Sequence, residues 1–335
     1  MPIIRGSERD KLYQRVANCV GNTPLYKIHN IAVPNGCQIF CKEEHLNPTG
    51  SHYDRFWVDY LRYQEDTSRI STTDTLIETS TGNSGASFAW ACRALGFREY
   101  HVVIPEDMPF SRIRQIEDLG AVVKTSPAGE YVDGLIRTFQ GYCQTVRANP
   151  NNRGPVKLPN HSRFGKASLS SLAEIAEESI HALEHEYSVR RLDYFITALG
   201  NGLSTQGMGE KLKLKYPHIS LVGIEAAQSP TVYAKLHPDE KKPETTGKTH
   251  GLLGTSPGID PTIFPIMDGY SSELTQVELI DEQRWTNAGI QLANQEGKLV
   301  GHTSAAAFCM AMEIAKKQKN KNFLIVFYDP AWKYL

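Results

Sequence analysis

Apolar positions along this chain follow two alternating rhythms. Short runs rich in branched and aromatic residues predict strands over 38–42, 75–79, 100–104 and 121–124. Between them, helical spacing of apolar residues predicts helices over 54–64, 84–95, 111–119 and 131–148. Such a β-α-β-α order favours a parallel sheet with helices on its faces. A dense turn signal follows, Asn149-Pro150-Asn151-Asn152-Arg153-Gly154-Pro155. The alternation then resumes, with helices over 172–185, 204–215, 282–295 and 305–317 and strands over 194–198, 220–224 and 323–327. The pattern therefore predicts an α/β protein with two sheets. The polar stretch 238–251 reads as an exposed loop.

Composition narrows the classes of partner. The 335 residues carry a formal net charge of -1, which argues against nucleic acid or an anionic membrane as a bulk electrostatic partner. No apolar run approaches the ~20 residues that span a bilayer, and the N-terminal stretch lacks an apolar signal core, so a cytoplasmic protein is expected. Cysteines such as Cys37 and Cys41 form no C-x-x-C pair and read as reduced core residues, with no metal site expected. His181 and His185 share a helical face, without a zinc-binding H-E-x-x-H pattern, and read as solvated.

Candidate chemistry sits in loops between strand ends and helix starts. One is Ser80-Thr81-Gly82-Asn83-Ser84-Gly85, where hydroxyls meet the unpaired N–H groups of a helix start. Another is Gly200-Asn201-Gly202-Leu203-Ser204, whose adjacent N–H groups can form an anion-binding nest. It is neither a Walker loop nor a G-x-G-x-x-G dinucleotide loop. A further loop, 47–55, contains His52 and Tyr53. Taken singly, each also reads as an ordinary turn that caps a helix.

Together these segments resemble the tryptophan synthase β-subunit family of pyridoxal phosphate (PLP) enzymes, fold type II. The nearest branch resembles cysteine synthase and cystathionine β-synthase. Gly21-Asn22-Thr23-Pro24-Leu25 is similar to the family's opening G-N-T-P-L, and Lys42 to Arg55 is similar to its K-x-E-x-x-N-P-T-G-S-x-K-D-R. The resemblance continues through the two glycine loops, Val222-Gly223-Ile224-Glu225-Ala226 and Glu296-Gly297-Lys298-Leu299-Val300-Gly301. It implies two domains, each with a mostly parallel sheet: a smaller one over 38–155 and a larger one over 1–37 plus 156–335. It also implies that Gly200, Asn201, Gly202, Leu203 and Ser204 hold a phosphate, that Asn83 bonds the pyridine 3′-oxygen, and that Ser80, Thr81 and Ser84 hold a substrate carboxylate. A homodimer is implied in the same way.

Two departures stand out. Tyr53 occupies the place of the family's cofactor-binding lysine, and a phenol can neither form an imine nor carry the proton as the amine does. Pro330 occupies the place of the serine that bonds the pyridine nitrogen, and it has neither hydroxyl nor N–H. The leading expectation is a cysteine synthase-like protein that no longer does aldimine chemistry. It would keep an interdomain cleft for an anionic or phosphorylated small molecule or amino acid, without a covalent cofactor but with room for non-covalent PLP. His52 and Tyr53 would line that cleft, Tyr53 as an acid–base group, a hydrogen-bond donor or a space-filling aromatic. Two alternatives stay open. One is a working β-replacement or β-elimination enzyme, a lyase or transferase, using non-covalent PLP or another lysine such as Lys248 or Lys166. The other is a non-catalytic regulatory or complex-forming subunit.

Overall fold

A computed structural model of the chain describes residues 3–152, 154–161, 169–240, 250–255 and 273–335. Two sheets organise them. The larger runs in the order β1 (Leu25–Lys27), β2 (Gln38–Lys42), β10 (Asn322–Val326), β7 (Tyr194–Ala198), β8 (Ser220–Ala226) and β9 (Gln276–Ile280). Its strands are parallel except β1, which pairs antiparallel with β2. The smaller sheet, β5 (Val122–Ser126), β4 (Glu99–Pro105), β3 (Thr75–Thr79) and β6 (Val156–Lys157), is wholly parallel. The expected division at 38 and 155 does not follow the sheets. β2 lies inside the larger sheet through its register with β10, and β6 lies beyond 155 yet joins the smaller one.

The central strands are apolar on both sides because both of their faces are covered, as parallel sheets require, whereas β5, at an edge of the smaller sheet, is largely exposed. Along β10, Leu324 and Val326 face one core while Phe323 and Ile325 face another. Along β3, Leu76 and Ile77 divide in the same way. The first core is shared by the two sheets, and α2 (Tyr53–Asp66) inserts Phe56, Trp57, Tyr60 and Leu61 into it. Helices α6 (Ser170–His185) and α7 (Leu203–Lys215) pack together on the same side. The far side of the larger sheet is closed by α9 (Glu282–Gln291) and α10 (His302–Lys317), and that of the smaller sheet by α5 (Tyr131–Ala148). Helices α1 (Glu8–Ala17), α3 (Asn83–Ala94), α4 (Phe110–Asp118) and α8 (Val232–Leu236) complete the described set. Of the expected polar loop, 238–240 are exposed whereas His250 is buried.

The junction between the sheets is polar and buried. Arg55, on α2, grips both oxygens of Glu44 at 2.8 Å and both oxygens of Glu178 on α6 at 2.6 and 2.7 Å. Asn47 bonds Glu44 and accepts from the Gly21 N–H, and Lys42 reaches Glu178 at 2.5 Å. Burial alone would raise the Glu178 carboxyl, but Arg55 and Lys42 outweigh it and hold the group down at about 2. Arg55→Ala leaves Glu44 buried without its counter-charge. Urea unfolding is expected to show a loss of about 3–5 kcal/mol, against about 0–1 kcal/mol for an exposed ion pair.

Candidate active site

The two sheets present the C-terminal ends of their parallel strands to one cleft, the position where open α/β sheets bind ligands. β3 runs into the 80–85 loop and α3, and β7 runs into the 200–204 loop and α7. β10 leads to Tyr328, and β2 leads through 43–52 to α2. These ends line a cavity of about 530 Å³. The structure brings His52, Tyr53, Ser80, Thr81, Asn83, Ser84, Gly200, Asn201, Gly202 and Ser204 to its wall. Leu203 is the exception among the expected residues. Its side chain is fully buried and its N–H is taken by Asn201 Oδ1 at 3.2 Å.

The anion loop keeps its capacity. Gly202 has φ +90°, a left-handed conformation suited to glycine, and turns the chain into α7. Ser204 and Thr205 occupy the first turn of α7, where backbone N–H groups lack intrahelical acceptors and the helix dipole favours an anion. The loop at 80–85 is held more tightly. Ser80 Oγ accepts from the Gly82 and Gly85 N–H groups at 2.9 and 2.7 Å, and Ser84 Oγ accepts from Trp57 Nε1 at 3.0 Å. Both hydroxyls therefore shape the loop, while retaining a proton to donate. Gly82, at φ +135°, leaves no room for a Cβ, which would meet Arg112 Cδ at 2.5 Å.

His52 bridges the cleft by pairing Nε2 with Ser204 Oγ at 2.8 Å. It is 5% exposed, and burial pushes its pKa down to about 4. Its Nδ1 has no partner among the described residues. The Tyr53 ring lies against His52 with centroids 4.3 Å apart. Burial raises the phenol to about 12, against a small opposing effect of a hydrogen bond with Asn201. Tyr53 therefore stays protonated near neutrality and is poorly suited to act as a base. Tyr131, at the start of α5, has φ +37°, an outlier for a bulky side chain that costs of order 1–3 kcal/mol. Its hydroxyl accepts from the Gly254 N–H at 3.2 Å.

Behind the wall lies a charged group that the sequence reading missed. Asn83 Nδ2 donates to Asp329 Oδ2 at 2.7 Å, and Asn83 Oδ1 accepts from Lys333 Nζ at 3.0 Å. Arg112 donates to Asp329 Oδ2 and the Thr81 carbonyl, each at 3.0 Å. Lys333 is fully buried, and burial lowers its pKa to about 8 despite nearby Asp329 and Asp54. Lys333 had a signal, since it stands close after Pro330, where the sequence departs from the family. Arg112 had none, because the apolar spacing predicts only a helix over 111–119. Lys166 and Lys248 lie outside the described residues.

Residues 16–329 match the family of pyridoxal-phosphate dependent enzymes, and the chain belongs to that family. It is 29% identical over 328 residues to a probable cysteine synthase of Bacillus subtilis, covering 97% of each chain. It is 27% identical over 325 residues to cysteine synthase B of Campylobacter jejuni, covering 97% of this chain and 98% of the relative. Among solved structures it is similar to the O-acetylserine dependent cystathionine β-synthase of Helicobacter pylori, with a TM-score of 0.80 and 25% identity over 100% of this chain and 98% of that one. The α/β fold with a mixed and a parallel sheet is that of these fold type II enzymes. No helix among the described residues is long and apolar enough to cross a membrane.

The family is PLP-dependent, but the described residues fit this cofactor unequally. The first turn of α7 suits its phosphate. At the ring end, Asn83 is already bonded through both side-chain atoms, and buried Pro330 offers no donor. The residue beside that end, Tyr53, is a phenol, which cannot form an imine with the cofactor aldehyde. The His52 imidazole is expected to remain neutral down to about pH 4 in an NMR titration. Its folded pKa lies below the ordinary 6.5, so its contribution to stability is lost as pH falls from about 6.5 through about 4. A midpoint near 6.5 in the folded protein would mean that the ring is solvated.

Proposed function

We propose that this chain is a cysteine synthase-like protein that has lost the family's lysine-based chemistry and uses the cleft to bind an anionic small molecule or amino acid. The observation carrying this reading is that both side-chain polar atoms of Asn83 are bonded inward, to Asp329 and Lys333, beside a phenol at position 53. What is lost is confined to the ring end. The anion-binding end remains, in the open first turn of α7 and the hydroxyl-rich loop at 80–84. The unpartnered Nδ1 of buried His52 also suits a cleft completed by a ligand, because a buried polar atom without a partner is costly. Tyr53 acts here as a neutral wall and hydrogen-bonding group.

Lys333 supplies the most stringent check, because its amine lies close to the abandoned ring position. Incubation with PLP, borohydride reduction and peptide mass mapping is expected to leave every lysine unmodified, Lys333 included. Inorganic phosphate is expected to raise the melting temperature in the same preparation. A pyridoxyl label fixed on one lysine would overturn the reading and restore covalent cofactor chemistry.

A further inference from the structure

The cavity has a second, chemically different end. Val132, Leu135, Ile136 and Phe139 lie at i, i+3, i+4 and i+7 on α5, and all four line it. Leu158 and Leu253 extend the same apolar wall. An ordinary amphipathic helix turns such a stripe wholly into the core. Here Leu135 does so against Ile77 and Val103, but Ile136 belongs to none of the three cores and is 36% exposed. The wall is also joined directly to the polar end. Tyr131, at the head of α5, bonds Gly254, and a Cβ on Gly254 would stand 3.3 Å from Thr81 Oγ1. A Cβ on Gly200 would in turn stand 2.7 Å from the Gly254 carbonyl. Both anion loops and the apolar stripe therefore meet around Gly254.

The geometry points to a ligand with an anionic head and an apolar body, the head on the helix-start N–H groups and the body along α5 between Ile136 and Leu158. A small hydrophilic anion would occupy the polar end and leave the apolar wall in water. An alkyl or aryl body covers it, and that burial is favourable in proportion to the apolar area removed from water. The inference rests on the anion-cleft reading and specifies the ligand class for the same cleft.

Inorganic phosphate and a series of n-propyl, n-pentyl and n-heptyl phosphates separate the two by calorimetry on the full chain. Affinity is expected to rise about tenfold for each added pair of methylenes. Ile136→Asn is expected to flatten that rise while inorganic phosphate binds as before. Ile136→Trp, which keeps the wall apolar but fills its space, is expected to weaken the heptyl ester and spare phosphate. Phosphate binding with equal affinity for every chain length would overturn the apolar-body inference and leave the anion cleft standing. Failure of phosphate and all esters to bind would remove both. A chain-length gain unchanged in both variants would overturn the placement on α5.

Discussion

The grip of Arg55 on Glu44 and Glu178 is the constraint on which the rest of the architecture depends. It joins the exit of β2, the first turns of α2 and the middle of α6, and so seats the helix shared by the two sheets. Charges this deeply buried are tolerated when each is paired and hydrogen-bonded. Asn47, Thr23 and Lys42 complete the pairing around the carboxylates. The start of α2 is fixed by this network, so His52 and Tyr53 are held at the cleft whichever side chains they carry. The scaffold thus sets where these two positions stand, independently of the chemistry their side chains offer.

At the Asn83 end of the cleft, the polar groups behind the wall are bonded to one another. Asp329 is shared by Asn83, Arg112 and the Tyr334 hydroxyl, and Lys333 lies beside it without solvent. In a low-dielectric interior such groups stabilise one another only while the set is complete.

Much of the fold was legible in the sequence because parallel strands buried on both faces read as apolar runs. The strands at 75–79 and 194–198 and the helix at 131–148 have the expected bounds. The short β1 and β6, and α1 with its mean polarity, carry too little periodic signal to stand out. Sheet membership was less legible, because β2 is assigned by a partner 284 positions away in the chain, from Ile39 to Phe323. At the site, glycine and hydroxyl spacing located both loops. Spacing could not reveal that Ser80 and Ser84 are committed to the turn and to Trp57, or that Arg112 turns inward. Those facts depend on how distant elements pack.

The His52–Ser204 pair gives the cleft an ambivalent polarity. A neutral imidazole carries its proton on either nitrogen, and a serine hydroxyl rotates to donate or accept. When Nε2–H donates to Ser204, Nδ1 is a bare acceptor; when Ser204 donates to Nε2, Nδ1 carries the proton. The two arrangements differ by a proton shuffle with no change in net charge. The buried ring can thus complement either a donor or an acceptor, and its tautomeric state becomes a readout of what the cleft contains.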